Sequence, residues 1–170
     1  MPSKKRQLDF REQVGPDTAW VTIQMIIFVA AAVGGPAGYL LIGRPDLPWH
    51  RVIDIIAGII VIFVGLQIAG QAQRDLGESM RVAPTPLDDA TFVDRGWYGR
   101  VRHPLYLSAF IVGLGWMLIW PGIVALAVTL VAFVFFSLKA RHEERLLVKR
   151  YPEYDDYMRR VRWRFVPGVW

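Results

Sequence analysis

Apolar residues in this chain come in runs too long for an ordinary soluble core. Two runs, Ala19 to Ile42 and Val52 to about Ala69, are followed, after a polar stretch, by Pro104 to Trp120 and Gly122 to Lys139. A helix needs about 20 apolar residues to cross a bilayer. The pattern therefore predicts an all-α integral membrane protein with four transmembrane helices, over about 19–42, 52–69, 104–120 and 122–139. The last two meet at Trp120-Pro121-Gly122, a tight-turn signal. Both are short, which suits a tilted hairpin or a locally thin bilayer. The chain reads as one domain, 1–170, with a cytoplasmic helical tail over 140–170.

Punctuation within the runs refines this. Gly34 and Gly38 have the small-xxx-small spacing that lets helices approach closely, and Pro36 between them predicts a bend. Acidic Asp9, Glu12 and Asp17 precede a run too long for a signal-peptide core, despite Ala30-Ala31-Ala32. Arg44 to Arg51 carries two prolines and Trp49 and suits an interfacial loop; Asp54 and Gln67 lie close enough to their helix ends to snorkel toward water. The stretch from Gln71 to Arg102, with Pro84, Pro86 and Asp94-Arg95-Gly96, reads as a structured loop with a helical start. Proline is favourable at the first helical position, where its missing N–H has no partner anyway, so His103-Pro104 marks a helix start at the membrane surface.

Charge orients the spans. The net charge is +5. With the N-terminus inside, Lys4, Lys5, Arg6, Arg11, Arg74, Arg81, Arg95, Arg100, Arg102 and every basic residue from Lys139 to Arg164 are cytoplasmic, leaving only Arg44 and Arg51 outside. That is the positive-inside distribution for an even number of spans, with both termini cytoplasmic. It accounts for the basic charge without nucleic acid, for which no motif is visible. The chain has no cysteine, and His50, His103 and His142 show no metal-type spacing, so no metal site is expected.

The fourth helix is expected to continue past the membrane. Arg141, Arg145 and Lys149 recur every four residues as one basic stripe, suited to anionic headgroups. Arg141 and Glu144 have pairing spacing, as have Asp155 with Arg159 and Asp156 with Arg160 on a second short helix beyond Tyr151-Pro152. Trp163, Phe165, Val166, Val169 and Trp170 form an aromatic, apolar end that lies at the interface or folds back over the hairpin. The hairpin's two cytoplasmic ends, Arg102 to Tyr106 and Arg141 to Glu144, thus gather ionisable groups at the rim of a lipid-embedded element, where a site is the first thing to suspect.

These residues also match a known pattern. Arg102-His103-Pro104-Leu105-Tyr106, between Gly96-Trp97-Tyr98 and Gly113-Leu114-Gly115-Trp116, resembles the arginine–histidine–proline–x–tyrosine block of isoprenylcysteine carboxyl methyltransferases. Glu143-Glu144-Arg145-Leu146-Leu147, through Tyr154 and Tyr157 to Phe165-Val166-Pro167, is similar to their C-terminal block, and phospholipid N-methyltransferases share a related pattern. The resemblance runs from about Gly65 onward and includes Leu76-Gly77-Glu78-Ser79. It implies S-adenosylmethionine as cofactor, in a pocket between the hairpin and the C-terminal segment. By that carry-over His103, Pro104, Tyr106, Glu143 and Glu144 are cofactor candidates, and Arg102, Leu107 and Tyr98 beside them complete the expected cofactor set. This chain departs from the eukaryotic pattern at Tyr151-Pro152, where relatives usually read Phe-Gly, and the early spans show no feature tied to prenyl recognition.

Methyl transfer from a sulfonium needs alignment and exclusion of water. Glu143 or Glu144 suits the cofactor's ribose hydroxyls or amino group. Tyr106 or Tyr98 can face the sulfonium through cation–π attraction, and Arg102 can hold the carboxylate through two parallel hydrogen bonds. A carboxylate acceptor would need only positioning, by Arg141 or Arg145; an ammonium acceptor would need His103, His142 or Glu143 as general base. The expected partners are the bilayer and a lipophilic or lipid-modified acceptor, and the expected location is a prokaryotic inner membrane. A sterol-reductase-like protein with a nicotinamide cofactor and a non-catalytic lipid-binding protein are the competing readings.

Overall fold

The computed structural model describes residues 17–42, 51–80, 84 and 92–168. Lys4, Lys5, Arg6, Arg11, Arg44, Trp49, His50, Arg81, Pro86, Val169 and Trp170 lie outside the described residues. Those described form helices and turns, with no strand among them. Helix α1 spans Thr18–Leu41, α2 Arg51–Leu76, α3 Pro104–Ile119, α4 Ile123–Arg150 and α5 Tyr154–Arg160. Short 3-10 turns occupy Gly77–Ser79 and Gly96–Gly99.

Three of these helices, α1, α2 and α4, are long and apolar enough to cross a membrane. Their large side chains point outward: Ile26, Val29, Ile59, Phe63, Val131 and Val134 are all exposed. Such surfaces are unfavourable in water and suit hydrocarbon, which makes the bilayer the natural solvent for these helices. Helix α3 has only 16 residues, about 24 Å at 1.5 Å per residue.

The boundaries differ from the hydropathy runs where polar residues continue a helix. Helix α2 extends seven residues past Ala69, because Gln71, Ala72, Gln73 and Arg74 are acceptable helix formers and Ala72 is fully buried. Helix α4 continues through the basic stripe to Arg150 and stops before Pro152, as its sequence predicts. Helix α1 runs through Pro36.

Packing pairs α2 with α3 and α1 with α4, with α3 also against α4. Glycines set both main contacts. A methyl group on Gly58 would stand 2.7 Å from the Gly115 carbonyl oxygen, and one on Gly115 2.6 Å from that of Gly58, so the α2 and α3 backbones touch at this crossing. Gly34 and Gly38 meet Val124 of α4, the close neighbour their spacing predicts. At the opposite end from the sequence motifs, Arg51 donates to the Leu118 and Ile119 carbonyls and lies over the Tyr39 ring. It thereby satisfies carbonyls that the end of α3 would otherwise leave open.

Candidate functional site

The turn before α3 is fixed from both sides. Pro104 opens the helix, and the amides of Arg102 and His103 donate to the carbonyls of Trp163 (2.9 Å) and Arg164 (3.0 Å). The C-terminal segment therefore folds back over the hairpin. Phe165, fully buried, reaches the rings of His103, Tyr106 and Phe110. Before the turn, Gly96 has φ +61° and sits against Asp75, which accepts from the Trp97 amide at 2.8 Å. A side chain at Gly96 would collide with that carboxylate and strain the backbone.

Two adjacent glutamates on α4 face different surroundings. Glu144 is buried and fully engaged. It accepts from Arg102 Nε at 2.8 Å and Arg164 Nη2 at 2.6 Å, and lies 3.3 Å from His103 Nε2. Arg102 also donates to the carbonyls of Val161 and Arg162, both at 2.8 Å. Glu144 is thus the hub that ties the His103 turn, α4 and the C-terminal segment together. Glu143 instead borders a cavity, accepts from the Tyr106 hydroxyl and lies 3.4 Å from His103 Nδ1. The His103 ring bridges the two carboxylates and stacks on Tyr106 at 5.4 Å.

Burial alone would push the His103 pKa down, but the Glu143 and Glu144 carboxylates outweigh it and hold the value above the ordinary 6.5. A raised folded value means that the protonated imidazole stabilises the fold. That contribution is complete below about pH 6.5 and vanishes as pH rises through the folded value. Wild type should therefore melt above His103→Gln at mildly acid pH, and the gap should narrow on going alkaline. A gap that widens with pH would contradict this assignment.

The cavity measures about 660 Å³, within the range of small-molecule sites. Its polar end is bounded by Tyr98, Arg102, His103, Tyr106, Glu143 and Tyr157. Its apolar length continues between the helices past Phe136, Ala132, Val128, Ile27, Ala31 and Trp116. Tyr98 is kept protonated by burial, and the nearby Glu143 charge reinforces this. Its backbone carbonyl accepts from Tyr157 Oη at 2.7 Å, which ties α5 to the turn. Phe92 packs on Tyr151, Tyr154 and Tyr157 across the same end.

Of the expected site residues, Arg102, His103, Tyr106, Glu143 and Tyr98 line the cavity. Pro104, Leu107 and Glu144 are buried behind its wall. Arg141, His142 and Arg145 are not among its lining residues. Arg141 and Arg145 are exposed, and His142 stacks on Trp20 at 5.3 Å. The proposed acceptor-positioning arginines thus lie outside the enclosed space: each is two residues, about 200° of helix rotation, from Glu143.

Spacing also misjudged three ion pairs. Glu144 pairs with Arg102 and Arg164 instead of Arg141; Asp156 meets Arg159; and Arg160 reaches Asp94 at 2.8 Å. Two cavity residues, Gln24 and Lys139, were not singled out as site residues by the sequence. Lys139 Nζ donates to Gln24 Oε1 at 2.6 Å, joining α4 to α1.

Comparison with known proteins converges on this region. A family model described as phospholipid methyltransferase matches residues 53–154. The chain is 42% identical over 72 residues to the nickel-cobalt-cadmium resistance protein NccN of Alcaligenes xylosoxydans xylosoxydans, covering 41% of this chain and 33% of that protein. It is 36% identical over 80 residues to the delta(14)-sterol reductase TM7SF2 of Mus musculus, covering 44% of this chain and 19% of that protein. The chain therefore spans a third or less of the length of these curated relatives. Among solved structures, the eukaryotic intramembrane Ras methyltransferase ICMT, an isoprenylcysteine carboxyl methyltransferase, superposes with a TM-score of 0.62 at 22% identity, over 96% of this chain and 58% of that one. That likeness is one of fold. The family match covers more than half of the chain's residues and places the chain in the phospholipid methyltransferase family.

Proposed function

We propose that the protein is an integral membrane methyltransferase that uses S-adenosylmethionine and modifies a lipophilic acceptor at the cytoplasmic face. The observation that carries this reading is the two-ended cavity. Its polar end offers a carboxylate, an imidazole and tyrosine rings, while its other end is an apolar channel between helices. That donor set fits a cationic, hydroxyl-bearing cofactor. Glu143 would receive its hydroxyls or amino group, and Tyr106 and Tyr98 would present ring faces to its positive sulfur. Bound there, S-adenosylmethionine would supply an activated methyl for transfer to an acceptor's lone pair.

The chain's own residues do the rest. His103 orients the Glu143 carboxylate through Nδ1, and Phe165 with the C-terminal segment closes the polar end against water. Arg102 braces the wall through Nε to Glu144 and Nη1 to two carbonyls, and as a cavity-lining residue it would also serve the carboxylate of the cofactor. Helix α3, paired with α2 and α4, supplies the fourth crossing in this reading. The distribution of basic residues supports cytoplasmic termini and fits a prokaryotic inner membrane.

The test is calorimetric titration of the purified protein in detergent with S-adenosylmethionine and, separately, with a nicotinamide cofactor. Binding of the first alone is expected, weakened about tenfold or more by Glu143→Ala with little change in melting temperature. Binding of the nicotinamide alone would transfer the assignment to the reductase reading that the sterol reductase similarity raises.

A further inference from the structure

Arg141 and Arg145 flank Glu143 on α4, yet neither serves the cavity. Their face of the helix also carries Val131, Val134 and Leu138, which are 57%, 57% and 51% exposed. From Val131 to Arg145 these residues recur at intervals of three and four, so they form one continuous exposed stripe, apolar up to Leu138 and basic beyond it. The change marks where α4 leaves hydrocarbon on the side of the polar end. Arg141 lies about 4.5 Å past Leu138 along the helix axis, and Arg145 about 10 Å past it. Helical side chains lean toward the N-terminus of their helix, here back toward the bilayer. Both guanidiniums therefore reach the headgroup layer, which is about 5–8 Å thick on each side. His142, between them, stacks on Trp20 of α1, and indoles gather at this same interfacial depth.

The neighbouring arginines are spoken for: Arg102 and Arg164 hold Glu144, and Arg160 holds Asp94. The two carboxylates on the same turn of α4 face the other way, Glu144 to those arginines and Glu143 to the Tyr106 hydroxyl and His103. Among the described residues no carboxylate pairs with Arg141 or Arg145. Like charges four residues apart on one helix face repel each other, and an anion seated between them turns that repulsion into attraction. We propose that the outer face of α4 binds one anionic phospholipid, its phosphate between Arg141 and Arg145 and an acyl chain along Leu138, Val134 and Val131. Charge complementarity selects the headgroup. The apolar half of the stripe selects a lipid over a soluble phosphate. This site lies outside the cavity wall. It needs only that α4 spans the bilayer, so it stands or falls apart from the chemistry proposed for the cavity.

The experiment is native mass spectrometry of the full chain in detergent, titrated with phosphatidylglycerol or phosphatidylcholine of matched acyl chains. One phosphatidylglycerol is expected to bind about tenfold more tightly than phosphatidylcholine. The paired variant Arg141→Gln with Arg145→Gln should erase that preference, and Arg141→Lys with Arg145→Lys should keep most of it. Arg100→Gln with Arg159→Gln removes the same charge from exposed positions that Trp97 and Asp156 engage, and should leave the preference intact. Val134→Asn should weaken both lipids alike. In lipid-free detergent the melting temperature of the glutamine pair at Arg141 and Arg145 should not fall, because both side chains are exposed and their repulsion is relieved. Equal binding of the two lipids by wild type, or a preference that survives the glutamine pair, would overturn the proposal. So would an equal loss in the Arg100 and Arg159 variant, which would show a diffuse positive face in place of a site. Binding of sn-glycerol 3-phosphate as tightly as phosphatidylglycerol would overturn the lipid as its occupant.

Discussion

Replacing Glu144 with alanine is expected to cost about 3–5 kcal/mol of stability, the range seen when one partner of a buried ion pair is removed. The carboxylate is 6% exposed and answers two guanidiniums and an imidazole. Its removal strands Arg102 and Arg164 in a space from which water is largely excluded. Glu144→Gln should be milder, because an amide oxygen still accepts one of these hydrogen bonds. The comparison with Glu143→Ala is the informative one: that side chain faces the cavity, so its loss should change ligand affinity far more than melting temperature. Unfolding in mixed micelles, read beside calorimetry, distinguishes the two glutamates. Equal effects of both on stability would show that the division of labour between them is wrong.

Introducing leucine at Gly115 should cost about 3 kcal/mol or more, at the upper end of the overpacking range. The added carbon would meet the Gly58 carbonyl oxygen and, at 2.9 Å, the Ile62 backbone nitrogen. Backbone cannot rotate aside as a side chain can, so α2 and α3 would have to separate. Because α3 begins at the His103 turn, separation there should also loosen the site about three turns away along the helix. The check is unfolding of Gly115→Leu beside Gly113→Leu, which faces open space. Similar losses at both positions would place the tight crossing elsewhere.

The parts of this molecule that could be read from sequence are those set by local rules. Long apolar runs gave the helices, Pro104 gave the start of α3, and Pro152 gave the end of α4. The gathering of His103, Tyr106 and Glu143 followed from placing two hairpin ends on one side, and the resemblance supplied their names. Pairings across the bundle were not legible. Gln24 and Lys139 are 115 residues apart, and each alone looked like part of an apolar run or its edge. Arg164 lay in a stretch read only as basic and aromatic, yet it grips Glu144. Arg141 and Arg145 attracted attention through their spacing, but spacing fixes a face relative to other residues on the helix and does not say which face is enclosed. That depends on how α1 and α3 dock, a tertiary fact.

The bonds from Arg102 and His103 to the carbonyls of Trp163 and Arg164 impose an order on biogenesis. Ribosomes release residues sequentially, so all the long apolar helices can be inserted into lipid before Arg164 emerges to complete the ring around Glu144. A message cut short between Arg150 and Arg164 would therefore yield a chain that lodges in the bilayer yet carries an open, wet chamber.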